Sequence, residues 1–322
     1  MRLIGFCFSA ARFVLARTPR PLWILVAFCG ALFGWCISSR YRRRTLTNLR
    51  KQGLSRWASL RLGLRCYRST AMVLVEAFGM QRVLARKGFR VDFDISDEAE
   101  AVLQRLRDGQ EPLVIACSGH YGAWEVAGAE VARLAAPSRA VASVRVAKQV
   151  AFVDGVDRLR SSYGIDSVGT DHVLRHLIKG LQQQDPRLYM FLIDQHYKGG
   201  VRLPFLGRPA CTVPIPAKLA VKYNAPMLFC TCQRGSGGSY AVHIEVVPIP
   251  AAADEEERVL RTSERLNELL GQCVRSVPEQ WAWGHRRWRK CCDWVPPGTP
   301  AVVDEGAAAH SDQHARETIP YA

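Results

Sequence analysis

Acidic residues are missing from the first quarter of the sequence. Residues 1–75 contain no Asp or Glu but 14 Lys or Arg, and the rest of the chain is close to neutral, although the whole carries a net charge of +15. Because the positive excess is confined to one end, it indicates a basic segment with a local role and argues against a nucleic-acid-binding body or partner. The length of 322 residues, 48% of them hydrophobic, is enough to bury a full core.

The sequence also lacks the cysteine spacing of a zinc site or of a disulfide framework. Its 11 cysteines are an odd number, and several, such as Cys117 and Cys230, lie in apolar runs. A reduced cysteine in such a run behaves as a small hydrophobic residue. His172 and His176 lie four residues apart but have no obvious third ligand, so we expect a helix surface there. The sequence predicts a reducing compartment and no metal cofactor.

One long hydrophobic segment follows the first arginines. Residues 21–39 are uncharged and mostly apolar between Arg20 and Arg40, and as a helix they would be about 30 Å long, close to one hydrocarbon thickness. Trp23 and Trp35 lie near its ends, where indole rings favour the membrane interface. A signal peptide and a buried core helix are the alternatives, but arginines follow the segment instead of a small-residue cleavage site. We expect an anchor that spans or dips into the membrane, with a cytoplasmic body.

Four regions are predicted along the chain. They are a basic membrane anchor (residues 1–45, helix at about 21–39), an amphipathic helical region (46–90), an α/β domain (91–294) and a disordered tail (295–322). In the α/β domain, buried runs such as "PLVIAC" and "RLYMFLI" alternate with helical patterns, and "GSGGS" joins two strands near its end. We expect a mixed, mostly parallel central sheet flanked by helices, with functional groups beyond the carboxyl ends of the strands.

A histidine and a carboxylate follow the buried strand "PLVIAC". The stretch "SGHYGAWEVAG" places His120 and Glu125 five residues apart, across a turn into a helix. A neutral imidazole removes a proton from a hydroxyl well when a carboxylate accepts its other ring N–H and fixes the tautomer. This pairing needs no serine or cysteine nucleophile, so it predicts direct attack of a substrate hydroxyl on an activated acyl group. A surface histidine beside an unrelated glutamate is the alternative.

Four ordered blocks then make the resemblance specific. "SGHYGAWEVAG" resembles the signature of the late lipid A acyltransferases, the lauroyl/myristoyl transferase family of the lysophospholipid acyltransferase superfamily. The further blocks are "SVRVAKQVAFVDGVDRLRSSYG" (143–164), "FLIDQHYKGGVRLPFLGRPACTVPIPAKLAVKYNAPM" (191–227) and "PEQWAWGHRRWR" (278–289). The resemblance covers roughly residues 20–290. This chain departs from the family at His196 and Tyr197, and at Ala123, where members often carry Asn.

The resemblance implies a glycerolipid acyltransferase-like fold and a set of site residues. His120 would be the general base and Glu125 its orienting partner. Arg145 would contact the oxyanion or a phosphate, and Arg160 is the next choice for that role. The residues expected to bind substrate are Arg160, Asp194, Gln195 and Arg208. Arg208 would hold a phosphate of the acceptor or of the donor's pantetheine arm; alternatively, "GRP" only shapes a loop.

The implied reaction moves a fatty acyl chain from a thioester to a hydroxyl of a glycolipid. The donor would be acyl carrier protein or acyl coenzyme A, with no other cofactor, and the leading acceptor is a lipid A precursor undergoing secondary acylation. The expected location is the cytoplasmic face of the bacterial inner membrane. Two alternatives stay open: another glycolipid or aminolipid acceptor, such as a mannosylated phosphoinositide, and a non-catalytic membrane scaffold that binds through the basic N-terminus and the aromatic tail.

Overall fold

In the part of the chain that the structure describes, three helices of more than ten residues precede the sheet. A computed structural model describes residue 10 and residues 13–144, 150–252 and 254–289. The first helices are α1 (Arg20–Ile37), α2 (Ser39–Lys51) and α3 (Arg56–Leu84). Helix α1 begins and ends within two residues of the predicted anchor helix. The helical region that follows is divided between α2 and α3, and the Ser55 hydroxyl caps α3 by accepting a hydrogen bond from the Ala58 amide at 3.2 Å.

Strands and helices then alternate. The elements are β1 (Arg90–Ile95), α4 (Asp97–Arg107), β2 (Leu113–Ser118), α5 (Trp124–Ala135), β3 (Arg139–Val144), α6 (Val150–Ser161), β4 (Ile165–Gly169), α7 (Val173–Gln182), β5 (Arg187–Leu192), β6 (Val201–Phe205), β7 (Arg208–Thr212), α8 (Ile215–Tyr223), β8 (Met227–Arg234), β9 (Ser239–Val246) and α9 (Glu255–Ser276). Seven strands form one sheet in the order β1-β9-β8-β2-β5-β3-β4, and β6 pairs with β7 in a separate hairpin.

The predicted fold class, an α/β fold with a mixed, mostly parallel sheet, is confirmed. All neighbouring pairs of the large sheet are parallel except β8 and β9, which the "GSGGS" turn joins as an antiparallel hairpin. Strand β2 lies between β5 and β8 at the centre, and its side chains from Leu113 to Cys117 are buried. The carboxyl ends of β2 and β5 therefore meet at one edge of the sheet.

Two strand regions cannot be predicted from the pattern of hydrophobic residues. Strand β1 is at the edge of the sheet and mostly exposed, so its sequence "RVDFDI" lacks a buried run. The β6–β7 hairpin carries Pro204 and Pro209 opposite each other, and proline is unfavourable in a central strand. Tertiary contacts hold this hairpin: the Asn267 amide on α9 donates hydrogen bonds to the Pro204 carbonyl and the Thr212 hydroxyl, both at 2.9 Å.

Helix α1 buries one narrow face and exposes the rest. Trp23, Ala27 and Ala31 are buried, and α1 packs against α3. Only 17% of α1 is buried, which the alternative of a core helix does not predict. By length and composition, α1 is the one helix of the described residues that is long and apolar enough to cross a membrane.

The cysteines depart from expectation at one position. Seven described cysteines are free, but Cys211 on β7 is disulfide-bonded. Cys211 is thus an exception to the reduced cysteines expected of a reducing compartment, because spacing along the chain does not reveal which thiols meet in space. Within the described ranges, no group of three or more His, Cys, Asp or Glu side chains is placed to hold a metal ion.

Candidate active site

The loop between β2 and α5 holds His120 through its backbone. The His120 carbonyl accepts a hydrogen bond from the Ala282 amide at 3.0 Å, and the Gly122 amide donates to the Gln280 carbonyl at 2.8 Å. Gly122 has φ = 60°, and a Cβ there would lie 2.0 Å from the Cys232 carbonyl oxygen. Because only glycine fits this conformation and this close approach, the small residues after the strand fix the position of the histidine.

A buried aspartate orients the His120 ring. The Asp194 Oδ1 lies 2.7 Å from His120 Nδ1, while Oδ2 accepts hydrogen bonds from the His120 amide at 2.9 Å and from Trp281 Nε1 at 2.8 Å. The Asp194 side chain is completely buried. Three donors therefore surround this carboxylate, and two of them belong to His120.

The predicted contact between Glu125 and His120 is wrong. Glu125 lies in the first turn of α5, and its two oxygens accept hydrogen bonds from Arg160 of α6 at 2.6 and 3.1 Å. Both His120 ring nitrogens have other partners. The physical reason is the direction of α5: its first turn directs Glu125 toward a guanidinium that takes both carboxylate oxygens, which is the favoured geometry of such a pair.

Parallel pairing of β2 with β5 explains why Asp194 is the partner. Ser118, the last residue of β2, is in register with Leu192, the last residue of β5. His120 and Asp194 each follow two residues later, so the register brings them together. Asp194 was expected to bind substrate, but it is buried beneath the histidine and bonds to the ring instead. The signal available in the sequence was a polar residue at the same distance beyond two predicted strands.

This arrangement leaves His120 Nε2 as the acceptor nitrogen. With a carboxylate on Nδ1, the proton of the neutral ring belongs on Nδ1. Gln195 Nε2 lies 3.2 Å from His120 Nε2 and donates to it. Burial alone would raise the pKa of the Asp194 carboxyl, but His120, its hydrogen bonds and the nearby His285 hold that pKa well below its usual range. Asp194 is therefore ionised, and it can keep accepting the Nδ1 proton of His120.

A second histidine, which the sequence reading missed, packs against the first. The ring centroids of His120 and His285 are 4.6 Å apart. Burial, and next the His120 ring, lower the pKa of His285 to about 4, against the opposing effect of Asp194. The Asn48 amide of α2 holds this loop by donating hydrogen bonds to the carbonyls of Trp283 at 2.7 Å and His285 at 3.1 Å.

We expect His285 to make stability depend on pH between about 6.5 and 4. The unfolded chain binds a proton there with an ordinary pKa and the folded chain does not, so stability falls as the pH falls through this window. At pH 5 the loss relative to pH 7.5 should be about 2 kcal/mol. His285→Gln should shrink the difference in melting temperature between these two pH values. His172→Gln, at an exposed position, is the control, and an unchanged difference in His285→Gln would contradict the assignment.

A cavity of about 580 Å³ lies beside His120. Part of its lining is polar or aromatic and includes His120, Trp124, Glu125, Arg160 and Gln195. Another part is apolar and is formed by Ala116, Ala127, Gly128, Val131, Ala142, Ile165 and Met190. These apolar residues belong to α5 and to strands β2 to β5, so this part of the cavity lies between α5 and the sheet.

The other predicted site residues differ in whether they line this cavity. Arg160 and Gln195 both line this cavity, as a substrate-binding role requires. Arg208 is at the start of β7 beside the turn of the β6–β7 hairpin and does not line the cavity, because that hairpin is separate from the large sheet. Arg145 lies outside the described residues, so its role stays a prediction.

Comparison with known proteins agrees with the geometry. No curated protein matches the chain. The family model of the bacterial lipid A biosynthesis acyltransferases matches residues 3–290, nearly the whole sequence before the C-terminal tail. Because the match extends over this length, the chain belongs to the bacterial lipid A biosynthesis acyltransferase family.

Proposed function

We propose that the protein transfers a fatty acyl chain from acyl carrier protein or coenzyme A to a hydroxyl of a lipid A precursor at the cytoplasmic face of the inner membrane. The observation that carries the proposal is the placement of His120. Its Nδ1 is bound to a buried carboxylate, and it lines a cavity that has both polar and apolar side chains. The polar groups suit a hydroxyl and a thioester, and the apolar lining suits a hydrocarbon chain.

His120 acts as general base in this proposal. The acceptor hydroxyl takes the place of the Gln195 amide at Nε2 and gives its proton to that nitrogen as its oxygen bonds to the thioester carbonyl carbon. The imidazolium that forms is stabilised by Asp194, which stays ionised. When the carbon–sulfur bond breaks, the thiolate takes the proton from Nε2 and leaves as a thiol. The products are an ester and a free thiol carrier.

Arg160 is our candidate for stabilising the oxyanion of the tetrahedral intermediate. Glu125 takes two of the guanidinium N–H groups, at Nε and Nη2, which leaves others free to donate. Burial would lower the pKa of Arg160, but Glu125 raises it above the ordinary value, so the cation persists. A cation held in a fixed orientation in the cavity lining needs little reorganisation when charge develops on the carbonyl oxygen. In this role Glu125 positions Arg160.

The apolar part of the cavity would hold the acyl chain of the donor. Trp124, Gly128 and Val131 follow one another along α5 and line the cavity, so the lining covers about 10 Å of this helix. Gly128 has no side chain between α5 and the sheet, and a Cβ there would meet Ile165 at 3.8 Å and Met190 at 4.0 Å. A larger residue at this position would therefore block this part of the cavity.

We expect Gly128→Leu to shift the preference toward shorter acyl donors. A buried methylene contributes about 0.8 kcal/mol, so excluding two or three methylenes should lower kcat/KM for the preferred donor about 15- to 60-fold. A donor shorter by four carbons should change less than about threefold. Gly128→Ala is the control, because its Cβ makes only ordinary contacts. Equal losses for long and short donors would contradict this path of the chain.

The proposed function is tested by product analysis. Purified protein is incubated with labelled acyl carrier protein or acyl coenzyme A and with a tetra-acylated lipid A precursor, and lipids are resolved by mass spectrometry. A new ester on the precursor, absent when the His120→Gln variant is used, supports the proposal. A parallel reaction with a mannosylated phosphoinositide tests the alternative acceptor. Transfer to that lipid alone would overturn the choice of lipid A, and hydrolysis without transfer would overturn transferase activity.

A further inference from the structure

The exposed side of α1 is a continuous apolar surface. Its large exposed side chains are Leu22, Ile24, Leu25, Val26, Phe28, Leu32, Phe33 and Ile37, and Phe33 and Ile37 expose about two thirds of their area. An apolar surface of this extent on a soluble monomer is unusual. Arginines flank it at Arg20 and Arg40. A lipid leaflet, with a hydrocarbon layer beneath anionic headgroups, complements both features.

Helix α1 lies on the body along its length. Near its start, a Cβ on Gly79 of α3 would be 2.1 Å from the Trp23 ring, so the indole packs directly on that glycine. Near its end, the Trp35 ring would be 3.2 Å from a Cβ on Gly63 of α3. Sixteen residues of α3 separate these two contacts, about 24 Å of helix. Helix α1 is therefore paired with α3 over nearly its whole length.

The chain before α1 also contacts the body. Leu15 is buried, and its carbonyl accepts a hydrogen bond from Trp23 Nε1 at 3.2 Å. The Trp23 ring packs on Phe89, just before β1, at 4.9 Å. Leu15, before α1, and Trp23, near its start, therefore belong to one buried apolar cluster with Phe89 and with Tyr240 of β9.

Helix α3 is fixed to the sheet. The Glu76 carboxylate, almost completely buried, accepts hydrogen bonds from Arg234 Nε at 2.6 Å and Nη2 at 2.7 Å, and from the Tyr240 hydroxyl at 3.0 Å. Arg234 ends β8 and Tyr240 lies in β9. Removing either partner would leave a buried charge unpaired. Helix α3 therefore cannot leave the sheet without breaking this network.

These contacts are incompatible with α1 crossing the bilayer. If α1 spanned the hydrocarbon core, residues 63–79 of α3 would enter it too, with the exposed Arg65 and Arg68 and with the ends of β8 and β9. Charged side chains and open sheet edges are unfavourable at that depth. We propose that α1 lies in the plane of one leaflet, with its apolar surface in the acyl layer and the body on the same side as the N-terminus. The proposal rests on the proposed function only for the presence of a membrane.

Arginines at the end of α1 suit the headgroup layer. Arg40 and Arg44 of α2 and Arg286 of the loop after His285 form no ion pair with any carboxylate of the described residues. Burial, and next the charges of Arg286 and Arg40, lower the pKa of Arg44, as expected of cations held close together. Lipid phosphates would neutralise this cluster, which lies next to the histidine loop.

The first test locates the two ends of the unaltered chain. Different epitope tags are added at the N- and C-termini, and protease is applied to spheroplasts and to inside-out membrane vesicles. We expect both tags to be cleaved in the inside-out vesicles and both to be protected in spheroplasts. Tags on opposite sides of the membrane would overturn the proposal. The result does not depend on acyl transfer, so it is distinct from a failure of the proposed function.

The second test measures the contribution of the apolar surface. Leu25→Glu combined with Phe33→Glu should weaken binding to vesicles of phosphatidylethanolamine and phosphatidylglycerol by at least roughly tenfold. The control combines Leu174→Glu with Ile178→Glu, which places the same charges on exposed apolar positions of α7, and should change binding less than about twofold. Equal binding of the two variants would overturn the proposal. The tag experiment keeps the topology testable if the charged variant does not fold.

Discussion

Replacing His120 with glutamine is expected to lower the rate of acyl transfer by about 10²- to 10⁴-fold, the usual contribution of a positioned general base. The amide of glutamine can still donate a hydrogen bond to Asp194, so the buried carboxylate keeps a partner. It cannot accept the proton of the acceptor hydroxyl at neutral pH. The loss should appear in kcat, measured with saturating labelled donor and acceptor in detergent micelles.

The control for this variant is His172→Gln on the exposed start of α7, which should keep wild-type kcat. The melting temperature of His120→Gln should stay within a few degrees of the wild type, because the loop is held by its backbone bonds to Gln280, Ala282 and Cys232. Retention of more than about a tenth of the wild-type rate would show that another group takes the proton.

Asp194→Asn should lower kcat by about 10³- to 10⁴-fold through the tautomer of His120. The asparagine oxygen can keep the two donors at Oδ2, the His120 amide and Trp281 Nε1. Its amide group then faces His120 Nδ1 and donates to it. The ring proton moves to Nε2, and the nitrogen that should accept the hydroxyl proton no longer can. KM should change little, because Asp194 is buried beneath the histidine and does not reach the cavity.

Assaying Glu125→Gln in parallel with Asp194→Asn distinguishes the roles of the two carboxylates. It weakens the hold on Arg160 and leaves the His120 tautomer intact. Its pH profile should therefore keep the wild-type ionisation of the base, whereas the residual activity of Asp194→Asn should lose it. If Asp194→Asn kept kcat within tenfold while Glu125→Gln abolished the ionisation, the orienting role would return to Glu125.

The sequence predicts the central layers of this fold because their strands are buried. Strand β2 and strand β5 are continuous apolar runs bounded by polar residues, and α9 begins with an Asp254 cap. Strand β1 and the β6–β7 hairpin are half exposed or contain proline, so they carry no such pattern. Their positions depend on tertiary contacts, such as the pairing of β1 with β9.

The site residues also divide into those that the sequence predicts and those that depend on tertiary contacts. His120 could be found because the glycines around it mark a tight turn after a strand. Its carboxylate could not be assigned from spacing alone, since Glu125 is five residues away and Asp194 is 74 residues away. Only strand order and register decide between them. His285 could not be predicted for a different reason. It lies in an aromatic segment whose pattern indicates only core packing. Its contact with His120 depends on the loop that Asn48 holds.

The hydrogen bonds of Asn48 connect the N-terminal helices to the loop that contains His285. This side chain joins α2 to the backbone of Trp283 and His285, and the ring of Tyr41 occupies the space beside Gly284. The N-terminal region, which we propose contacts lipid, thus also holds His285, the residue packed against His120. Removing these helices to obtain a soluble fragment would remove that support, so in our proposal the same few turns of helix serve both attachment to the membrane and the catalytic site.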